Sequence, residues 1–103
     1  MQIFEKKTPL ITCLYPLKEK NKQIGFVPTM GALHKGHESL VIKSLENNDF
    51  TVVSIFVNPT QFNNVDDLKK YPKTIAKDLE LLKNIGCDFV FIPSVEEIYA
   101  QTV

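Results

Sequence analysis

An α/β fold, with a parallel sheet carrying helices on both faces, is what this sequence predicts, and three observations predict it. Apolar runs rich in β-branched and aromatic residues alternate along the chain with segments of helical period. The densest run, Thr51-Val52-Val53-Ser54-Ile55-Phe56-Val57, presents apolar side chains to both faces, as a central parallel strand does. Each run ends at a proline or an Asn-Pro pair, so the strands are punctuated at their carboxyl ends.

The elements follow in order. Thr8-Pro9 predicts a helix start, with Thr8 as N-cap and Pro9 in the first helical position. Leu10, Ile11, Leu14 and Leu17 continue it at near-helical spacing, and Pro16 is expected to end or kink it near Tyr15. Lys18 to Gln23 then reads as a loop or a frayed remainder. Ile24-Gly25-Phe26-Val27 is a short strand that stops at Pro28. From His37 the pattern is helical, with Leu40, Val41, Ser44 and Leu45 on one face and Asn47, Asn48 and Asp49 at its end. After the run at 51–57, Asn58-Pro59 opens a polar loop expected to reach Tyr71-Pro72. Leu79, Leu82 and Ile85 mark the buried face of a further helix, capped at its C-terminus by Gly86. Phe89-Val90-Phe91-Ile92 is the next strand, closed by Pro93, and Ser94 with Glu97 proposes a capping box for a last helix.

Composition bounds the function. A chain of 103 residues forms one compact domain. Twelve Lys/Arg balance twelve Asp/Glu, so the basic field that a nucleic-acid backbone requires is missing, and nucleic acid is not an expected partner. No apolar run is long enough to span a bilayer, and Glu5, Lys6 and Lys7 interrupt the early apolar residues where a signal peptide would need them. Cys13 and Cys87 lack any metal-ligand spacing and read as reduced core thiols of a cytoplasmic protein, so no metal site built from protein side chains alone is expected.

In an open parallel sheet, ligands bind outside the carboxyl ends of the strands. The places to look are therefore just after Val27, Val57 and Ile92. The first of them carries Pro28-Thr29-Met30-Gly31-Ala32-Leu33-His34-Lys35-Gly36-His37. Two imidazoles three residues apart at a helix start lie on one side of it, where free backbone N–H groups and the helix dipole favour a phosphate. Gly36 leaves room for a nucleotide against the backbone. Ring N–H donors would stabilise charge building on an α-phosphate, at about 3–4 kcal/mol for one well-oriented donor. An isolated His-x-x-His pair is more often surface decoration or a satisfied loop; position after a strand, with a glycine inside it and a helix opening from it, favours the phosphate reading. Lys35 fits either a phosphate contact or a solvated charge.

His34-Lys35-Gly36-His37 resembles the His-x-Gly-His signature of the nucleotidylyl transferase superfamily, which implies a Rossmann-like sheet. The longer run from Pro28 to His37, together with Val53 through Phe62 and Tyr71-Pro72-Lys73-Thr74 followed by Asp78, resembles the pantothenate synthetase family specifically. That resemblance covers nearly the whole chain. It implies a ligase that adenylates pantoate with Mg-ATP and passes the pantoyl group to β-alanine, giving pantothenate, AMP and pyrophosphate. It implies that Met30, Gly31, Ala32, Leu33, His34, Lys35, Gly36 and His37 form the ATP-binding segment, with His37 and His34 catalytic. Gln61 matches the glutamine that holds pantoate, with Pro28 and Thr29 beside it. Asp78 is either an organiser of magnesium or pyrophosphate or a solvated helix carboxylate. Lys73 stands where arginine is expected, keeping the charge without the bidentate fork, and Thr60 replaces a commonly apolar residue. The resemblance also implies a homodimer. It further implies that residues 1–103 are an incomplete N-terminal nucleotide-binding domain, inactive alone, with later sheet strands, later ATP-closing loops and a C-terminal lid domain absent. Another nucleotidylyl transferase and a non-catalytic nucleotide-binding module are the competing readings.

Overall fold

The computed structural model describes residues 1–56 and 65–99. In chain order they form β1 (Gln2–Phe4), α1 (Lys7–Glu19), β2 (Ile24–Thr29), α2 (Lys35–Asn47), β3 (Phe50–Ile55), α3 (Val65–Asn84), β4 (Phe89–Phe91) and α4 (Val95–Tyr99). The four strands make one parallel sheet in the order β1-β4-β3-β2, so β3 is central, as its two-sided apolar run predicts.

Side-chain alternation divides the core into two layers. Val53 and Ile55 of β3 and Val90 of β4 face α2 and α3, packing with Val41 and Leu82. Val52 of β3 and Phe89 and Phe91 of β4 face the opposite side, where Leu10 of α1 covers them with Leu14 and Leu17 around it. Helices therefore lie on both faces, the predicted architecture. Phe89 also stands between Phe4 and Phe50, with ring centroids 6.4 and 6.0 Å away. Burial pushes the Cys87 thiol up to about 11, so this core cysteine stays protonated at neutral pH. Cys13 is half-buried against the α1 layer, and both thiols are free.

Several boundaries depart from expectation, each for a physical reason. Strand β1 is an addition; its three residues are too few to display a period, and it exists because β4 offers it a parallel edge. Helix α1 begins at Lys7, and Thr8 is not its cap. The Lys7 N–H instead donates to the Glu97 carboxylate at 2.7 Å, a cap supplied by α4, 90 positions away in sequence. Helix α1 also runs through Pro16 to Glu19. Proline there removes only one bond to an exposed turn, and the Pro16 carbonyl still accepts from the Lys20 N–H at 3.2 Å. Asn21, at φ 61°, then closes the helix, with N–H bonds from Asn21 to the Lys18 carbonyl and from Lys22 to the Leu17 carbonyl. Strand β2 continues past Pro28 to Thr29; as an edge strand it tolerates a residue without an N–H. Helix α2 starts at Lys35 rather than His37, and Leu40 is 58% exposed while Val41 is fully buried. Strands β3 and β4 stop at Ile55 and Phe91. The polar stretch expected as loop up to Pro72 is helical from Val65, because polarity alone does not separate a loop from the solvated face of a helix.

At the end of α3, Gly86 caps as predicted. Its φ is 87°, its N–H reaches the Lys83 carbonyl, and the Cys87 N–H reaches the Leu82 carbonyl at 3.0 Å. A Cβ added at Gly86 would meet nothing within 4 Å, so only the backbone conformation opposes a side chain there. Gly86→Ala is accordingly expected to lower stability by about 1–2 kcal/mol in a denaturant titration, the cost of a left-handed residue with a Cβ.

Candidate active site

The loop between β2 and α2 is held by three side-chain anchors. Thr29, buried at the end of β2, donates its hydroxyl to the Ser54 carbonyl at 2.9 Å and accepts the Gly31 N–H at 3.2 Å. Gly31 and Ala32 follow in the left-handed region, at φ 85° and 53°. A non-glycine residue in that region requires support, and it comes from α3. Both carboxylate oxygens of Asp78 accept loop N–H groups, from Ala32 at 2.9 Å and from Leu33 at 2.8 Å. Asp78 is 3% exposed, so the expected solvated helix carboxylate is excluded, and the side chain lies under the loop as its support. Leu33 packs on the α2–α3 core layer.

The two histidines then cap helix α2 reciprocally. His34 is the N-cap, and its Nδ1 accepts the Gly36 N–H at 3.0 Å. His37 Nδ1 accepts the His34 N–H at 3.2 Å. The rings lie 4.2 Å apart at 50°. Because each Nδ1 is an acceptor, each ring carries its proton on Nε2, and among the described residues neither Nε2–H meets a partner. The Lys35 N–H at the helix start has no partner among the described residues. A local sequence signal thus yields a capped helix start with oriented donors.

Gly36 also makes room within the protein itself. A Cβ there would stand 2.8 Å from His34 Cε1 and 3.1 Å from its Nδ1, so the missing side chain makes room for the folded-back imidazole. Gly36→Ala is expected to push His34 off the helix start. The melting temperature should move little, because alanine favours the helix, while the NMR signals of the His34 ring shift away from those of the capped form.

A cavity of about 600 Å³ opens beside His37, at the carboxyl ends of β2, β3 and β4. Pro28, Thr29, Met30 and His37 line it from the first of the three predicted places. Phe56 lines it after β3, and Pro93 after β4. Its size suits a small-molecule ligand. Ser54, Phe91 and Ile98 complete much of the wall; sequence reasoning missed them, although strand alternation from Val52 and Phe89 would have put Ser54 and Phe91 on that side. His34 and Lys35 are exposed at the helix start outside this cavity, and Ala32 is exposed on the loop. Gln61, with Asn58, Pro59 and Thr60, lies outside the described residues, as does any statement on the Lys73 side chain.

A family profile described as pantoate-beta-alanine ligase matches residues 2–103. The chain belongs to that family. The pantothenate synthetase of Flavobacterium psychrophilum is 59% identical over 100 residues, covering 96% of this chain and 36% of that protein. That of Azobacteroides pseudotrichonymphae is 54% identical over 103 residues, covering 99% and 37%. This chain therefore spans a little over a third of the length of the curated relatives it matches. Among solved structures, the pantoate-beta-alanine ligase of Francisella tularensis, complexed with beta-gamma ATP and beta-alanine, superposes with a TM-score of 0.75 at 43% identity, over 98% of this chain and 38% of that one. The pantothenate synthetase of Thermus thermophilus gives 0.70 at 38% identity, over 98% and 35%. Within this ligase family the four-stranded parallel sheet, with helices on both faces, is the shared Rossmann-like frame of the match.

Proposed function

We propose that this chain supplies the nucleotide-binding part of an ATP-dependent ligase joining pantoate to β-alanine through a pantoyl adenylate. The observation that carries the reading is the reciprocal histidine cap, which turns two Nε2–H donors outward at a helix start beside a cavity at the strand ends. A pantoate carboxylate oxygen attacks the α-phosphorus of ATP, the bond to the bridging oxygen breaks, and pyrophosphate leaves. Negative charge grows on the phosphoryl oxygens during this step, and His37 and His34 meet it with hydrogen bonds rather than by moving a proton, since the attacking carboxylate has none. The amine of β-alanine then attacks the acyl carbon and AMP departs. Met30 to His37 cradle the nucleotide; Gln61 and Pro28 hold pantoate, and Thr29, whose hydroxyl is already bonded within the protein, contributes shape to that pocket.

Magnesium is taken to arrive with the ATP phosphates. Among the described residues no three His, Cys, Asp or Glu side chains come together to hold a metal, and both Asp78 oxygens are engaged by the loop, so no step is assigned to a protein-bound ion. Among the same residues no helix is long and apolar enough to cross a membrane. Cytoplasmic location and a homodimer complete the reading; sedimentation of the protein would test the latter.

The deciding experiment is pantoate-dependent exchange of pyrophosphate into ATP, made on this chain alone and on a chimera that joins it to the remaining part of the Flavobacterium relative. Exchange in the chimera and not in the chain alone is the expected result. Exchange dependent on a phosphorylated substrate instead would favour another nucleotidylyl transferase. ATP binding without exchange in either sample would favour a non-catalytic module.

A further inference from the structure

We propose that Asp78 is a positioning residue for the nucleotide, acting through the loop that precedes α2. The inference rests on the reading of Met30 to His37 as the nucleotide segment, and it concerns what keeps that segment in its binding shape.

Three observations carry it. Asp78 sits on α3, 45 positions from the loop in sequence, yet both of its oxygens accept loop N–H groups, at 2.8 and 2.9 Å. It is 3% exposed, and its two bonds leave the carboxylate matched by donors rather than stranded. The bonds fall on Ala32 and Leu33, at and just after the two left-handed residues, where the backbone resists its own conformation. Without the carboxylate, nothing else described on α3 reaches these N–H groups. The loop would then relax, and His34, the very next residue, would lose its fixed place at the helix start.

This arrangement separates binding from chemistry. A loop that visits its binding shape only part of the time weakens apparent affinity by that fraction, and bound nucleotide restores the shape. Loss of the anchor should therefore raise KM for ATP while leaving kcat at saturating ATP and KM for pantoate nearly unchanged. Asp78→Asn makes the cut cleanly. The amide keeps one acceptor and turns an NH2 toward the other loop N–H, donor against donor.

The test uses the chimera described above. Asp78→Asn is compared with the unsubstituted protein and with Asp88→Asn. Asp88 accepts the Thr51 N–H at 2.9 Å at the opposite end of the strands, so its loss reports a purely structural bond. For Asp78→Asn we expect KM for ATP to rise about tenfold with kcat changed less than about threefold. Hydrogen–deuterium exchange of the segment 31–34 should quicken in the absence of ATP and slow again when ATP is added. Asp88→Asn should lower the melting temperature and leave KM for ATP alone. Equal changes in both variants, or unchanged exchange at 31–34, overturn the proposal. So does a defect that added magnesium reverses while exchange at 31–34 stays unchanged, which would make Asp78 an organiser of the metal. If the unsubstituted chimera shows no pantoate-dependent activity, the functional reading fails, and the exchange measurement still decides whether Asp78 holds the loop.

Discussion

Replacing His37 with alanine is expected to lower the rate of pantoyl-adenylate formation in the chimera by about a hundredfold to a thousandfold, the loss typical of one oriented donor to a developing oxyanion. The expectation rests on how firmly the ring is aimed. Its Nδ1 is tied to the His34 N–H and its ring lies against the His34 ring, so Nε2–H cannot turn away without breaking the cap. The effect should appear in kcat, because the charge it meets exists only in the transition state. Removing the cap bond should cost stability by about 1 kcal/mol, small enough to separate from the catalytic loss. A decrease of less than threefold, measured by single-turnover release of pyrophosphate, would remove His37 from the chemistry.

The second large effect concerns stability. Leu82 is fully buried where α3 meets the sheet, in one cluster with Val41, Val53, Ile55 and Val90. Leu82→Ala removes most of that side chain and leaves a cavity, at about 2–5 kcal/mol. For a domain of this size that corresponds to a fall in melting temperature of more than about 10 °C. Leu40→Ala is the matched control. The helical pattern puts Leu40 on the buried face, but it is 58% exposed, and its removal should change stability by less than about 0.5 kcal/mol. A calorimetric scan of the two variants therefore tests the orientation of α2 as well as the core. Similar melting temperatures for both would contradict it.

The sequence exposes those features whose causes are local. Strand β3 is legible because seven consecutive residues repeat one signal, and Gly86 because a single residue type solves the left-handed position after a helix. The histidine pair is legible because capping acts over three residues. Features caused at a distance are not. Nothing near Lys7 announces that Glu97 will cap it, so Thr8, the local candidate, attracts the assignment. Nothing near Ala32 announces Asp78. A lone aspartate on a helix looks the same whether it faces water or lies beneath a loop, and only the packing of α3 on the sheet distinguishes the two. The cavity is intermediate: the topological rule locates its mouth, while Ser54, Phe91 and Ile98 emerge only once register and helix placement are fixed.

The Glu97–Lys7 bond also sets a schedule. It joins residues 90 positions apart, and among the described residues β1 pairs with no strand but β4. During synthesis the first strand and the start of the first helix consequently emerge with their partners still unmade, whereas β2 and β3 pair across a connection containing only α2. The histidine cap and the β2–β3 pair can thus be assembled before β1 meets its partner. Of the described strands, β1 is the one whose partner lies farthest along the chain.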